Sequence, residues 1–538
     1  MSELTSMRLR ISTPWLLLGG WLLLMIVSLL SRSYAPIDET RYVTVAWEMW
    51  LRGDYLVPHL NGETYSHKPP LLFWLFNLGW SIFGVNEWWP RLVPPLFGLG
   101  SLFLTIHIAR RLWPEREVVA QLAPLMLLGS LFWAFYTTAT MFDMMMVFFT
   151  LLGLSGVIDA WQRGGLRGWL ILAVAIGLGV LAKGPVILLL TLPTALLAPW
   201  WMGAGRIVSL PRWYLAIFAS VLGGAAIALA WAIPAAIAGG EAYADAIFWG
   251  QTAKRMVNSF AHRRGFFWYL PYLPILLFPW LLWPTLWRSF KRLPGVMGES
   301  GIRFVLSWIV PLYLALSLIS GKQVHYLLPL FPAIALLAAR LLSEQGSLWR
   351  DLWLPGLLLA AAGVVLLILP QLVEGRELPN WSGSIETGWG ALLVVVGLAL
   401  AWFNPDSLAP RMVALMAGSI VMVVVINIAV LGAARPAYDL HSMAERLGEL
   451  QKQGVAIAHL DEYHGQYHFL GRLEQPLAIF KRRQLRTWVA NNPEGWAVVY
   501  DDKWPESLEG AEFVRDYHTG GVALYRSDRL LAAWAAER

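Results

Sequence analysis

The sequence predicts a polytopic α-helical membrane protein that ends in a small soluble α/β domain. Three observations predict it. Apolar residues make up 57% of the 538 residues against 14% charged, and the mean hydropathy is +0.54. Apolar runs of about 17–25 residues, each long enough to cross a bilayer, recur through most of the chain. From residue 434 the pattern changes to charged segments in which short β-rich runs alternate with helical ones.

Taken in order, the apolar runs cover 14–30, 71–84, 91–109, 118–135, 142–160, 168–182, 185–200, 213–236, 267–287, 303–320, 326–344, 353–372, 388–403 and 410–433. The run 71–84 is short and sits directly behind Pro69-Pro70, so it reads as a re-entrant or interfacial piece. About thirteen spans remain. Charge bias supports that number. With the N-terminus in the cytoplasm, the inner loops carry Arg110, Arg111 and Arg116; Arg163 and Arg167; Arg206 and Arg212; Arg288, Lys291 and Arg292; and Arg340 and Arg350. Counting 71–84 as a crossing would put all of these outside. Arg8 and Arg10 before the first run read as the flank of an uncleaved signal anchor. The division is therefore a membrane domain over 1–433, with polar outer loops at 31–70 and 237–266, and an outer α/β domain over 434–538 of ordinary single-domain size.

Composition also excludes classes. There is no cysteine, so disulfides and thiolate metal sites are out. The net charge of +6 fits loops held against anionic membrane lipids. No phosphate-binding Gly-Lys loop, dinucleotide Gly pattern or nucleic-acid motif occurs, so no nucleic-acid partner is expected. Many of the 31 Trp sit at the ends of apolar runs, as interfacial belts require, and glycines within spans read as helix-packing positions.

The first outer loop organises the chemistry. Asp38 and Glu39 form a carboxylate pair suited to accepting a proton or stabilising a positive sugar carbon; a helix N-cap at Asp38 with an exposed neighbour is the structural alternative. Residues 40–53 put Val43, Ala46, Met49 and Trp50 on one face, as in a short helix lying in the interface. Asp143 lies at the outer edge of a span among Met and Phe, where a carboxylate is costly and is functional or paired. Basic residues on the outer side run against the charge bias. Lys68, Lys183, Lys254, Arg255, Arg263, Arg264 and Lys322, with Arg41, would suit a phosphate group, Arg by forked hydrogen bonds and Lys as a point charge; solvated loop charges are the alternative. Tyr65 and Tyr326 can donate to the same phosphate or serve as belt aromatics. His67 and His262 leave a divalent metal open as a cofactor, with donor anchoring as the other role, and no metal-ligand set is assigned. The run Lys481–Arg486 reads as a solvated face.

Together, Asp38-Glu-Thr-Arg-Tyr42, Tyr65-x-x-Lys-Pro-Pro70, Asp143, Lys183-Gly-Pro185 and Gly-Lys-x-x-x-Tyr-x-x-Pro-x-x-Pro over 321–332 resemble the bacterial lipid A aminoarabinose transferases. More broadly they resemble the protein-mannosyltransferase-like membrane glycosyltransferases of the GT-C fold. The resemblance implies an inverting glycosyltransferase of the bacterial inner membrane, with its site and C-terminal domain on the periplasmic side. Its donor would be a sugar, 4-amino-4-deoxy-L-arabinose in the nearest case, on undecaprenyl phosphate, and its acceptor lipid A or a related envelope molecule. It further implies Asp38 as the catalytic or acceptor-orienting carboxylate, Glu39 as its support, and Asp143 as a second active-site carboxylate. Lys68 would hold the donor phosphate, completed by Arg255 or Arg264, Lys322 and Tyr326. His67 stands where those transferases carry an acidic residue. Transfer to protein or another glycan is the alternative acceptor class. A lipid-linked-substrate transporter would need charges along a pathway and a two-fold repeat, and neither is evident.

Overall fold

The computed structural model describes residues 13–203, 208–250, 264–344, 350–372, 380–403, 405–500, 509–518 and 520–536. Helices dominate. Among the described residues, eight helical stretches are long and apolar enough to cross a membrane. They include α1 (Thr13–Ser31), which precedes the first outer loop. That loop carries α2 (Asp38–Arg52) and a two-stranded hairpin, β1 (His59–Leu60) and β2 (Glu63–Thr64). Then come α3 (Leu71–Phe83), α4 (Trp88–Leu112), α5 (Asp143–Arg163), α6 (Arg167–Lys183) and α7 (Leu210–Gly239). At 13 residues, α3 is about 20 Å long, short of a hydrocarbon core of about 30 Å.

Two expectations about helices are corrected. Residues 267–287 do not form one span. They break into 3-10 turns at Phe266–Tyr272 and Trp280–Leu282 and short α pieces at Leu273–Leu276 and Pro284–Phe290. Pro271, Pro274, Pro279 and Pro284 each remove a helix donor, which hydropathy does not register. Second, α2 is buried on more than the one apolar face. Val43, Ala46 and Met49 are buried as the pattern predicts, but so are Thr44, Trp47 and Glu48 on other faces.

Packing explains the glycines and part of the tryptophan load. A Cβ on Gly168 of α6 would sit 2.4 Å from the Gly156 carbonyl of α5, so these helices meet backbone to backbone. Several indoles donate to buried carbonyls, among them Trp21 to Pro95, Trp201 to Thr194 and Trp280 to Met126. Pro199 cannot bond the Ala195 carbonyl one turn back, and Trp213 Nε1 donates to that oxygen instead at 3.0 Å.

The C-terminal segment holds a five-stranded sheet in the order β4-β3-β5-β7-β6, with β3 (Ile457–Leu460), β4 (Ala478–Phe480), β5 (Trp496–Tyr500), β6 (Phe513–Tyr517) and β7 (Gly520–Arg526). The first three pair in parallel and the last two antiparallel. Alternation divides its faces. Ala458, Ala497, Val499 and Tyr525 pack under helices Arg482–Asn491 and Ser527–Ala536, while Ile457, Val498 and Leu524 join the core shared with the rest of the chain. The Lys481–Arg486 run is corrected in part: it begins a helix whose Leu485 and Val489 are buried.

Candidate active site

The site is built from the ends of α5 and α6, the loop after β2, and the segment entering Phe331–Leu342. Asp143 is the first residue of α5 and Lys183 the last of α6. The antiparallel hairpin of these helices brings the two together, and Lys183 Nζ donates to Asp143 Oδ1 at 2.6 Å. Asp143 is 4% exposed, and its Oδ2 is buried without a hydrogen bond. His325 stacks on Tyr136, and Tyr326 presents its ring 5.2 Å from Lys183 Nζ. Lys68 lies 5.9 Å from the Phe142 ring, one residue before Asp143.

These groups share one cavity of about 550 Å³. Its polar end is formed by His67, Lys68, Asp143, Lys183, His325 and Tyr326. The remainder is apolar, lined by Met146, Val180, Leu190, Ala228, Trp231 and Leu316 from membrane helices. A cationic head region continuous with an oily channel suits an amphiphile with an anionic head and a hydrocarbon chain.

The first loop is locked beside this cavity. Glu39 is buried, and its carboxylate accepts from Arg32 Nη1 and Nη2 at 2.6 and 3.0 Å and from the amides of Ala35 and Thr140 at 2.7 and 2.6 Å. Burial acts to raise its pKa, but the Arg32 charge and these hydrogen bonds outweigh it and hold the group below the usual carboxylate range. Glu39 thus ties α2 to the turn just before Asp143. Trp74 and Trp231 fasten the loop from the membrane side by donating to the carbonyls of Tyr55 and Leu56.

Asp38 is not an N-cap. It is the first residue of α2, behind Ile37, and its half-exposed carboxylate pairs with Arg41 and accepts from Tyr42 Oη at 3.3 Å. Burial, then the Asp38 charge, pushes the Tyr42 phenol up. Of the residues expected at the donor phosphate, Lys68 and Tyr326 line the large cavity. Arg41 and Tyr65 line a smaller one beside it. Lys322 is turned away: its ammonium donates to the backbone carbonyls of Ile319 and Arg264. Arg264 stacks over Trp268. Arg255 and His262 lie outside the described residues. Among the described residues, no three His, Asp or Glu side chains gather as a metal-binding group. Lys183, one of the outer cations the sequence offers for a phosphate, lines the cavity, and His325 joins it without a sequence signal of its own beyond its place next to Tyr326. Arg32 was missed as well; an arginine at the outer end of a span was its signal.

Comparison with known proteins is consistent along the chain. Residues 67–238 match the dolichyl-phosphate-mannose-protein mannosyltransferase family. The undecaprenyl phosphate-alpha-4-amino-4-deoxy-L-arabinose arabinosyl transferase of Edwardsiella ictaluri is 32% identical over 388 residues, 67% of this chain and 67% of its own length. The enzyme of the same name from Pectobacterium carotovorum is 30% identical over 412 residues, 71% of each. The crystal structure of ArnT from Cupriavidus metallidurans bound to undecaprenyl phosphate superposes with a TM-score of 0.77, at 20% identity, over 95% of this chain and 98% of that one. At that identity the likeness speaks to fold, and the fold is the helical membrane GT-C type.

Proposed function

The chain belongs to the family of undecaprenyl phosphate-alpha-4-amino-4-deoxy-L-arabinose arabinosyl transferases, and on that premise we propose that it moves a sugar, 4-amino-4-deoxy-L-arabinose in the family's case, from undecaprenyl phosphate to lipid A or a related envelope acceptor. The observation that carries this reading is the cavity that runs from Lys68, Lys183 and Tyr326 into an apolar channel between membrane helices. A polyprenyl phosphate has the matching form.

In the reaction the bond between the sugar anomeric carbon and the donor phosphate oxygen breaks. A bond from an acceptor oxygen to that carbon forms on the opposite face, with inversion. Negative charge grows on the departing phosphate, and Lys68 with the Tyr326 hydroxyl stabilises it. Asp143 is neutralised by Lys183 and fixes the ammonium at the polar end. Asp38 faces the acceptor. An acceptor phosphate is already anionic and needs orientation more than deprotonation; a hydroxyl acceptor would give its proton to Asp38.

The same reading puts the protein in the bacterial inner membrane with this site and the segment 434–538 on the periplasmic face. Its support is polarity along α5. Asp143 opens the helix at the site, and its far end meets the Arg111–Asp159–Arg163 cluster, as the positive-inside rule asks of a cytoplasmic end.

The test is sugar transfer in membranes supplied with undecaprenyl phosphate-linked aminoarabinose and lipid A, read by mass spectrometry. Asp38→Asn and Lys68→Ala are expected to abolish product while insertion and folding persist. Normal transfer by both variants would overturn the proposal.

A further inference from the structure

The large cavity has a charge balance that its contents must complete. Two lysines, Lys68 and Lys183, and one carboxylate, Asp143, line it. His67, His325 and Tyr326 beside them bring no negative charge in their ordinary states. The other carboxylates nearby, among the described residues, are matched or lie elsewhere. Glu39 is held by Arg32, and Asp38 by Arg41. Glu63 lines the smaller cavity, which Ser66 and His67 separate from this one by bordering both. Glu241 and Asp245 precede Ile247 of the cavity wall but are themselves exposed and outside it. The sequence over 251–263 contains no acidic residue. Two ammonium groups against one carboxylate leave the polar end with one net positive charge.

That excess is weakly screened. Met146, Val180 and Leu190 continue the wall as apolar surface, and charges in such surroundings act on one another more strongly than in water. The single carboxylate is half committed. Asp143 Oδ1 accepts from Lys183 Nζ at 2.6 Å, and Oδ2 is buried without a hydrogen bond. A buried acceptor oxygen next to a lysine ammonium suits the hydrogen of a neutral hydroxyl. A second ammonium at the same oxygen would meet the first.

We infer that the cavity selects a donor whose sugar carries no positive charge, with Asp143 Oδ2 accepting a sugar hydroxyl. The inference rests on the transferase reading above and narrows its substrate. A polyprenyl-phosphate sugar is a phosphodiester with one negative charge, which cancels the one positive charge of the polar end. A neutral sugar leaves that balance intact. An ammonium on the sugar adds a positive charge with no partner in the cavity, and burying an unpaired charge is costly. His67 is then the position from which selectivity can be altered, since it is exposed and borders the cavity.

The experiment compares two donors in transfer to lipid A by the full-length protein: undecaprenyl phosphate-linked aminoarabinose, and the same molecule with a hydroxyl in place of the amino group. Donor kcat/KM at neutral pH is expected to be at least about tenfold higher for the hydroxyl donor. His67→Glu supplies the missing counter-charge and should move the ratio of the two values toward the amino donor by a similar factor. His67→Gln, which changes shape without adding charge, should not move it. Thermal unfolding checks that each variant keeps the fold. A wild-type kcat/KM for the amino donor equal to or above that for the hydroxyl donor overturns the inference and leaves the transferase reading standing. So does a ratio unmoved by His67→Glu in a protein that melts with wild type. Absence of transfer from either donor would sink the transferase reading, and this inference with it.

Discussion

Glu39→Gln separates a positioning carboxylate from a reacting one. The Glu39 carboxylate receives four hydrogen bonds, two from the buried Arg32 guanidinium and two from backbone amides. Glutamine keeps one acceptor oxygen and turns an NH2 toward groups that are themselves donors. It also leaves the Arg32 charge buried without its counter-ion. Breaking a buried pair from one side costs about 3–5 kcal/mol. The assay is thermal unfolding in detergent micelles for Glu39→Gln, Arg32→Met and the double variant. The double variant is expected to be destabilised by clearly less than the sum of the singles, with a coupling of about 1–3 kcal/mol. Because Glu39 titrates below the usual carboxylate range in the fold, its contribution is complete above the unfolded carboxylate pKa. It is lost as pH falls through the lowered value, so the variant and wild type converge in acid. A Glu39→Gln protein that melts with wild type at neutral pH would refute the reasoning, as would strictly additive singles.

Two further outcomes follow from the same structure. Lys183→Met strands the Asp143 carboxylate in a buried site and should cost about 3–5 kcal/mol as well as transfer. Adding Asp143→Asn should recover melting temperature but not product, which unfolding and mass spectrometry on the same samples would establish. Burial pushes the His468 imidazole down to about 4. The unfolded chain therefore binds its proton first, and stability of the C-terminal segment should fall as pH drops from about 6.5 toward that value. Hydrogen exchange over residues 457–473 reads this directly, and His468→Phe should flatten the profile.

Hydropathy and alternation carried the architecture. The strand Trp496–Tyr500, a short run of apolar β-branched and aromatic residues, and the helix His441–Lys452 stand where the alternation of β-rich and helical runs after residue 434 predicts them. What sequence pattern misses is proline spacing inside an apolar run, which broke 266–290 into turns. It also misses pairing at a distance. Asp38 and Glu39 look equivalent in sequence, yet one is half-exposed beside Arg41 and the other is buried against Arg32. Lys322 looked like an outer cation, but two carbonyls claim its ammonium. The strands Ala478–Phe480 and Phe513–Tyr517 are not legible because the first has only three residues and the second carries Arg515 and Asp516 on a partly exposed edge.

The sheet of the C-terminal segment is covered on one face by its own helices and on the other by the core it shares with the first loop. Its Leu477 backbone is matched to Asn61, and its Gly465 to Thr44, across more than 400 residues of chain. Inheritance and engineering meet the same constraint here. A chimera that takes the C-terminal segment from one relative and residues 31–70 from another would join two halves of a fitted joint cut from different pieces. Exchanges that move both segments together keep the joint, and with it the boundary between the two cavities.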